Sequence, residues 1–281
     1  MRKKINPMIV IGFFLSFFTL IIITGRTEHT SPQIETTTET TIVETSSTKK
    51  INTIPQYHIE NALEMKPIID VSAWQRPSEI DYDILSQHIS GAIVRIQSGS
   101  HTKRENSATD KNGLDKAFDI HITEFQERNI PVAVYAYVTG NSIENMKEEA
   151  QSFYKAASPY SPTFYWLDVE EHTMEDMNAG VEAFRKELET LGAKNIGIYV
   201  GTYFMEDHSI TVDKFDAVWI PTYGDNSGYY NAAPKTDLNY DLHQYTSHGR
   251  VNGFDQHLDL NIITTLKDPN QVYQKLFTVP E

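Results

Sequence analysis

TFYWLDVE, residues 163–170, decides the fold of this chain. Phe164, Tyr165, Trp166, Leu167 and Val169 are β-favouring or aliphatic. So dense an apolar run reads as a strand buried on both faces, as in parallel sheets covered by helices. Two acids interrupt its end. Residues two apart on a strand point to the same side, so Asp168 and Glu170 project together while Val169 faces the opposite layer.

Outward from this strand, similar runs stand at 68–72, 91–97, 131–138, 195–201, 217–223, 242–247 and 258–263. Helical periodicity fills the earlier gaps at 79–89, 113–129, 142–157 and 174–191, whereas the connections after residue 201 are short or loop-like. Repeated β then α with buried parallel strands predicts an α/β fold: an irregular, TIM-like (β/α) barrel with eight strands and fewer than eight helices.

Barrels of this kind carry their chemistry at the carboxyl ends of the strands. The polar and aromatic residues expected there are Asp70, Arg95 and Gln97, Tyr135 and Tyr137, Asp168 and Glu170, Tyr199, Trp219 and Tyr223, Gln244 and Tyr245, and Asp259 with Asn261. Tyr137, Tyr165 and Tyr199 read better as barrel packing. Neighbouring carboxylates in a partly dry site resist joint ionisation, which raises one pKa and keeps a proton available near neutral pH. One acid that protonates a leaving oxygen and another that stabilises a developing sugar cation make a glycosidase, and the surrounding aromatics suit sugar faces. His121, His243 and His257 show no helical ligand spacing with a nearby acid, so no metal is expected and they read as surface or loop residues.

Composition limits the alternatives. The chain has 281 residues, 40% of them hydrophobic and 11% aromatic, enough for one large domain with appendages. It contains no cysteine, which excludes disulfides, thiolate chemistry and a lipoprotein anchor. Arg2, Lys3 and Lys4 precede an uncharged run from Ile5 to Gly25, long enough to span roughly 30 Å of hydrocarbon. Residues 1–26 therefore read as a cytoplasmic tip and transmembrane signal anchor, with the rest outside by the positive-inside tendency. A secreted form released by signal cleavage is the alternative, but no Ala-x-Ala-like site follows the run. Residues 27–66 form a linker rich in Ser, Thr and Glu, expected to be disordered, and 67–281 form the barrel domain. Beyond residue 26 the chain carries 20 basic against 38 acidic residues. So acidic a surface argues against nucleic acid as a partner.

IIDVSAWQ (68–75), DKAFDIHI (115–122), WLDVE (166–170), WIPTY (219–223) and HQYTSHGRVNGFDQHLDLN (243–261) together resemble a glycoside hydrolase family 25 muramidase, the Chalaropsis-type lysozymes. A D-x-E pair alone is weak; the ordered set across the globular part is specific. The resemblance implies an irregular β/α barrel that cuts the β-1,4 bond between N-acetylmuramic acid and N-acetylglucosamine in peptidoglycan glycan strands, without metal or cofactor. It implies Glu170 as general acid, Asp168 as the adjacent supporting carboxylate, and Asp70 and Asp259 as the other two site acids. Tyr135, Trp219, Tyr223 and Gln244 follow as substrate contacts. The segment RIQSGSHTKRENSATDKNG (95–113) is longer and more polar than the family pattern, which leaves one cleft wall open. Residues 264–281 are too few for a separate wall-binding module, so membrane anchoring is expected to take that role.

Two other functions fit parts of the pattern. Chitinase-like enzymes carry D-x-x-D-x-D-x-E on the fourth strand; Asp168 and Glu170 match its end, but Thr163 and Trp166 occupy its first two acidic positions. A non-catalytic glycan-binding wall domain would also use the aromatics.

Overall fold

The computed structural model describes residues 65–99 and 105–280. The expected anchor and nearly all of the expected linker lie outside them. Among the described residues, no helix is long and apolar enough to cross a membrane.

Eight strands close into one barrel in chain order: β1 (Ile68–Val71), β2 (Gly91–Ser98), β3 (Val132–Tyr137), β4 (Tyr165–Val169), β5 (Ile196–Val200), β6 (Ala217–Pro221), β7 (Leu242–Val251) and β8 (Phe254–Ile263). Among the described residues six α-helices accompany them: α1 (Tyr82–Leu85), α2 (Phe118–Glu127), α3 (Ile143–Ala157), α4 (Met177–Leu191), α5 (Thr202–Asp207) and α6 (Pro269–Phe277). Strand alternation sorts the core into two layers. Ile69, Val71, Leu167, Val169, Ile198 and Val200 face outward against Phe125, Phe153 and Phe184 of the helices. Ile68, Ile93, Ala133, Phe164, Trp166, Trp219, Leu242 and Ile263 fill the interior.

The irregular eight-stranded barrel is as expected, and its irregularity includes one reversed strand. β1 to β7 pair in parallel, but β8 runs antiparallel to both β7 and β1. The reason is a two-residue turn, Asn252-Gly253, between the paired Val251 and Phe254, a sequence that favours hairpins over crossovers. Gly253 has φ +102°, and a Cβ there would stand 2.4 Å from the backbone nitrogen of Leu85, so the turn tucks against α1 only as glycine. The hairpin also carries both strands further than expected, to residue 251 and from residue 254.

The helical connections thin out as expected. The segment expected to be helical at 79–89 forms a 3₁₀ turn and the single turn of α1. Between β6 and β7 there is no helix. A cavity of about 700 Å³ lies on this outer flank, lined by Met205, Ile210, Val212, Phe215, Val218 and Leu238 among others. Of its acids, Asp241 is bound to Lys267 and Lys275 at 2.9 and 3.0 Å. The C-terminal helix α6 was not expected. Asp268 caps it by accepting from the backbone of Asn270 and Gln271, with proline in its first turn. Its Val272, Leu276 and Phe277 join the interior cluster.

Two histidines differ from expectation. His121 is buried in α2 between the Tyr82 hydroxyl (2.7 Å) and the Ser72 carbonyl (3.1 Å). His243 is buried on β7, 2.8 Å from the Thr222 carbonyl. Burial lowers both pKa values, that of His243 to about 4, so at neutral pH they are uncharged packing residues. His257 is exposed.

Candidate active site

At the carboxyl ends of the strands, Asp70, Tyr135, Asp168, Glu170, Trp219, Tyr223, Gln244 and Asp259 line one cavity of about 120 Å³. All eight site residues expected from the sequence meet there, from six strands and the residues immediately following two of them. Tyr199, expected to be packing, lines it too. Its hydroxyl donates to Gln244 Oε1 at 2.8 Å, and the Tyr223 hydroxyl donates to the same oxygen at 2.6 Å. Tyr165 is packing, its ring 5.7 Å from Phe153 and 5.8 Å from Tyr154.

Aromatic rings make the floor. Phe164 stacks on Trp166 at 4.9 Å between centroids, Trp166 meets Trp219 edge-on at 5.6 Å, and Trp219 meets Tyr199 at 4.6 Å. Gly197 on β5 makes room: a Cβ there would lie 2.4 Å from the Trp166 ring. The Trp219 indole N–H donates to Asn261 Oδ1 at 2.8 Å, which aims the Asn261 amide at Asp70.

The four carboxyl groups form two pairs on this floor. Asp70 Oδ2 accepts from Gln244 Nε2 at 2.9 Å and Asn261 Nδ2 at 2.8 Å, and Asp70 also hydrogen-bonds Asp259. Burial raises both, Asp70 to about 6 and Asp259 to about 8. The two amide donors favour charge on Asp70, and that charge in turn disfavours ionisation of Asp259. At neutral pH the pair therefore holds one proton, chiefly on Asp259. Asp168 and Glu170 form the second pair. Burial, then the Glu170 charge, raises Asp168 well above the usual carboxylate range, and Asp168 Oδ1 has no hydrogen-bond partner. Glu170 is raised by burial of its carboxyl, opposed by its bond to Asp168. Asp168 is only 7% exposed, whereas Glu170 is solvent-exposed. The pair thus sets a dry acid beside an accessible one, and burial favours the protonated form of both.

Arg95 and Asp115 complete the surroundings. Asp115 accepts from Arg95 Nε at 3.0 Å, with Nη2 at 2.9 Å, and from the backbone of Ala73 and Ala117. Asp115 lies in the DKAFDIHI stretch, where its role depends on a partner 20 residues earlier. The helix expected from residue 113 starts only at 118, and Asp115 ties β2 to the segments after β1 and before α2 on the side where the Arg95 charge acts on Asp168 and Tyr135.

The proton-sharing pair sets a stability prediction. Asp259 ionises at about 3.9 when unfolded and at about 8 when folded. Its contribution is fully present below pH 4 and is lost as pH rises to 8, because the unfolded chain releases the proton first. Asp259→Asn keeps a donor to Asp70 without an ionisable group. Its melting temperature should match wild type near pH 4 and exceed it near pH 8 by about 5 °C, for roughly 2 kcal/mol after allowance for solvent screening and coupling. Thermal scans across this range test it; a gap that does not change with pH refutes the shared-proton assignment.

A barrel whose mouth holds two adjacent carboxyl pairs above an aromatic floor defines the class as an acid-catalysed glycoside hydrolase. The family pattern of the glycosyl hydrolases family 25 matches residues 69–254, and the chain belongs to that family. It is similar, at 60% identity and a TM-score of 0.75, to GHIP of Streptococcus pneumoniae, described as a glycosyl hydrolase 25 and virulence factor participating in host cell invasion. That likeness covers 79% of this chain and 97% of that one. The catalytic domain of endolysin ply40 from bacteriophage P40 of Listeria monocytogenes is 22% identical over 74% of this chain and 97% of its own, with a TM-score of 0.62. A bacterial lysozyme from Streptomyces coelicolor is 16% identical over 77% and 99%, with a TM-score of 0.57. The last two show the fold alone. No match is found among curated proteins. The chain is a glycoside hydrolase of the lysozyme type that acts on peptidoglycan.

Proposed function

We propose that the chain cleaves the β-1,4 bond after N-acetylmuramic acid with Glu170 as the general acid, and that an N-terminal anchor holds it at the membrane beside the wall. The observation that carries the chemistry is the exposed Glu170 standing beside the buried Asp168 in one cavity at the mouth. Only the accessible acid can reach a glycosidic oxygen. Asp168 supports charge that develops at the sugar, and Asp70, held by Gln244 and Asn261, adds a fixed negative charge facing it. Tyr135, Tyr223 and Trp219 line the sugar-sized space. Trp74 and Tyr229, on loops that follow β1 and β6, and Tyr203, in helix α5 after β5, are 59%, 78% and 82% exposed. They offer flat apolar surfaces for sugars further along the strand.

Neither alternative finds support. The chitinase-like pattern needs an acid where Trp166 is stacked on Phe164 in the floor, and a purely binding domain has no use for two adjacent acid pairs.

Digestion of purified peptidoglycan by the full-length chain, with mass spectrometry of the new reducing ends, tests the bond assignment. Reducing muramic acid is expected; reducing glucosamine ends overturn it. Cell fractionation tests the anchor: a chain that stays with membranes through high-salt washing supports it, and free release into the medium defeats it.

A further inference from the structure

The β7–β8 hairpin and the loop after β6 form another pocket, of about 410 Å³, lined by Ser227, Gly228, Tyr229, His248, Arg250 and His257. No carboxylate lines it, in a chain of formal net charge -14 and beside a mouth lined by four acids. Among the described residues, Arg76, Arg95, Arg128 and Arg185 each meet a carboxylate at 3.2 Å or less, whereas Arg250 meets none. Arg250 is held instead by a backbone carbonyl and an imidazole. Nη1 donates to the Asp255 carbonyl at 3.0 Å, and Nη2 lies 3.2 Å from His257 Nε2. The His257 ring in turn stands edge-on to His248 at 4.8 Å. These contacts fix the guanidinium and leave the rest of its five N–H donors, with a permanent charge, for an oxyanion.

The pocket adjoins the catalytic mouth. Leu258 and Leu260 of β8 pack into the outer core, so the alternation puts His257 on the face that carries Asp259, about 7 Å further along the strand. On the other side, Asn226, three residues after Tyr223, binds the hydroxyls of Thr246 and Ser247 at 2.8 and 2.9 Å and so ties the loop bearing Tyr229 to the hairpin. A glycan lying across the mouth therefore passes beside this pocket.

We propose that the hairpin pocket is a subsite for the carboxylate of the peptide stem carried by the glycan substrate, with Arg250 as its anchor. The proposal rests on the peptidoglycan-cleaving reading and deepens it: the acids of the mouth face the sugar cation, and the acid-free hairpin takes the negative charge that the same substrate carries. It makes the enzyme selective for stem-bearing glycan.

Wild type, Arg250→Ala and Arg250→Lys are compared on intact peptidoglycan, on the same glycan stripped of its stems by an amidase, and on glycan that keeps its stems but has lost phosphate-containing wall polymers. Wild type should lose about tenfold in kcat/KM when the stems are removed, the value of one charge-assisted bond, and nothing when only the polymers are removed. Arg250→Ala should lose the same tenfold on intact substrate and be indifferent to stem removal, with Arg250→Lys in between. An Arg250→Ala enzyme as fast as wild type on intact substrate, or slowed equally on stripped glycan, overturns the subsite. Loss on removing the polymers alone overturns the carboxylate in favour of phosphate. If wild type cleaves neither glycan, the catalytic reading fails and the subsite is judged by binding. In the Glu170→Gln protein, muramyl dipeptide should shift the NMR signals of His248 and His257, whereas uncharged N-acetylglucosamine oligomers should not. No shift with the dipeptide overturns the subsite independently of turnover.

Discussion

Glu170→Gln should lower turnover on peptidoglycan by about 10²–10⁴-fold, the range supplied by a positioned general acid, while glycan binding stays within a few-fold of wild type. Glutamine matches the shape of glutamate and can still accept or donate a hydrogen bond to Asp168, so the mouth keeps its form. What it lacks is a transferable proton. Substrate and transition state differ at this residue only in the proton passed to the leaving oxygen, so the loss falls on kcat and not on KM. Asp168 cannot substitute, since it is 7% exposed and lies one strand repeat deeper. Assay of released reducing ends, with pull-down on insoluble peptidoglycan for binding, separates the two quantities. A variant that retains a tenth or more of wild-type turnover sinks the assignment of Glu170.

The same pair sets the alkaline side of the pH profile. Burial raises both Asp168 and Glu170, which extends the protonated, active form upward from the ordinary carboxylate range; activity is lost as pH rises through the pKa of the pair. The coupled titration belongs to the two acids together, so the profile reports one macroscopic limb.

Much of this was legible in the sequence because period-two alternation needs no knowledge of partners. The spacing of Asp168 and Glu170 puts them on one face, and the run Phe164–Leu167 marks the buried strand that presents them. Residues whose role depends on a distant partner were not legible. Tyr199 looks like packing until Gln244, 45 positions away, accepts its hydroxyl. His121 and His243 look like surface residues until Ser72 and Thr222 offer carbonyls to them. The antiparallel return of β8 did have a local signal in Asn252-Gly253, between two runs that read as separate strands at 242–247 and 258–263. The helix α6 had one as well, in the Asp268-Pro269 start.

Asp115 is the sharpest case of a hidden partner and carries the largest expected effect on stability. Asp115→Ala should destabilise the barrel by about 3–5 kcal/mol, because it leaves the Arg95 guanidinium buried without its counter-charge. Arg95 is 8% and Asp115 2% exposed, so solvent cannot replace the lost partner without opening the fold. The same carboxylate also satisfies the backbone N–H groups of Ala73, after β1, and Ala117, before α2. Its removal loosens three segments together. For a domain of this size the loss corresponds to a fall of about 10 °C in melting temperature. Replacing both partners, Arg95→Met with Asp115→Leu, should cost less than Asp115→Ala alone, since no buried charge is then stranded. Asp115→Asn separates charge from shape. It keeps an acceptor for the backbone but frees the positive field of Arg95, which already opposes the upward shift of Asp168, so the alkaline limb should move to lower pH. Thermal denaturation of the three variants decides the energetic claim: a single mutant no less stable than the double would mean that Arg95 finds water or another acid, and that the ion pair is not what holds this wall of the mouth.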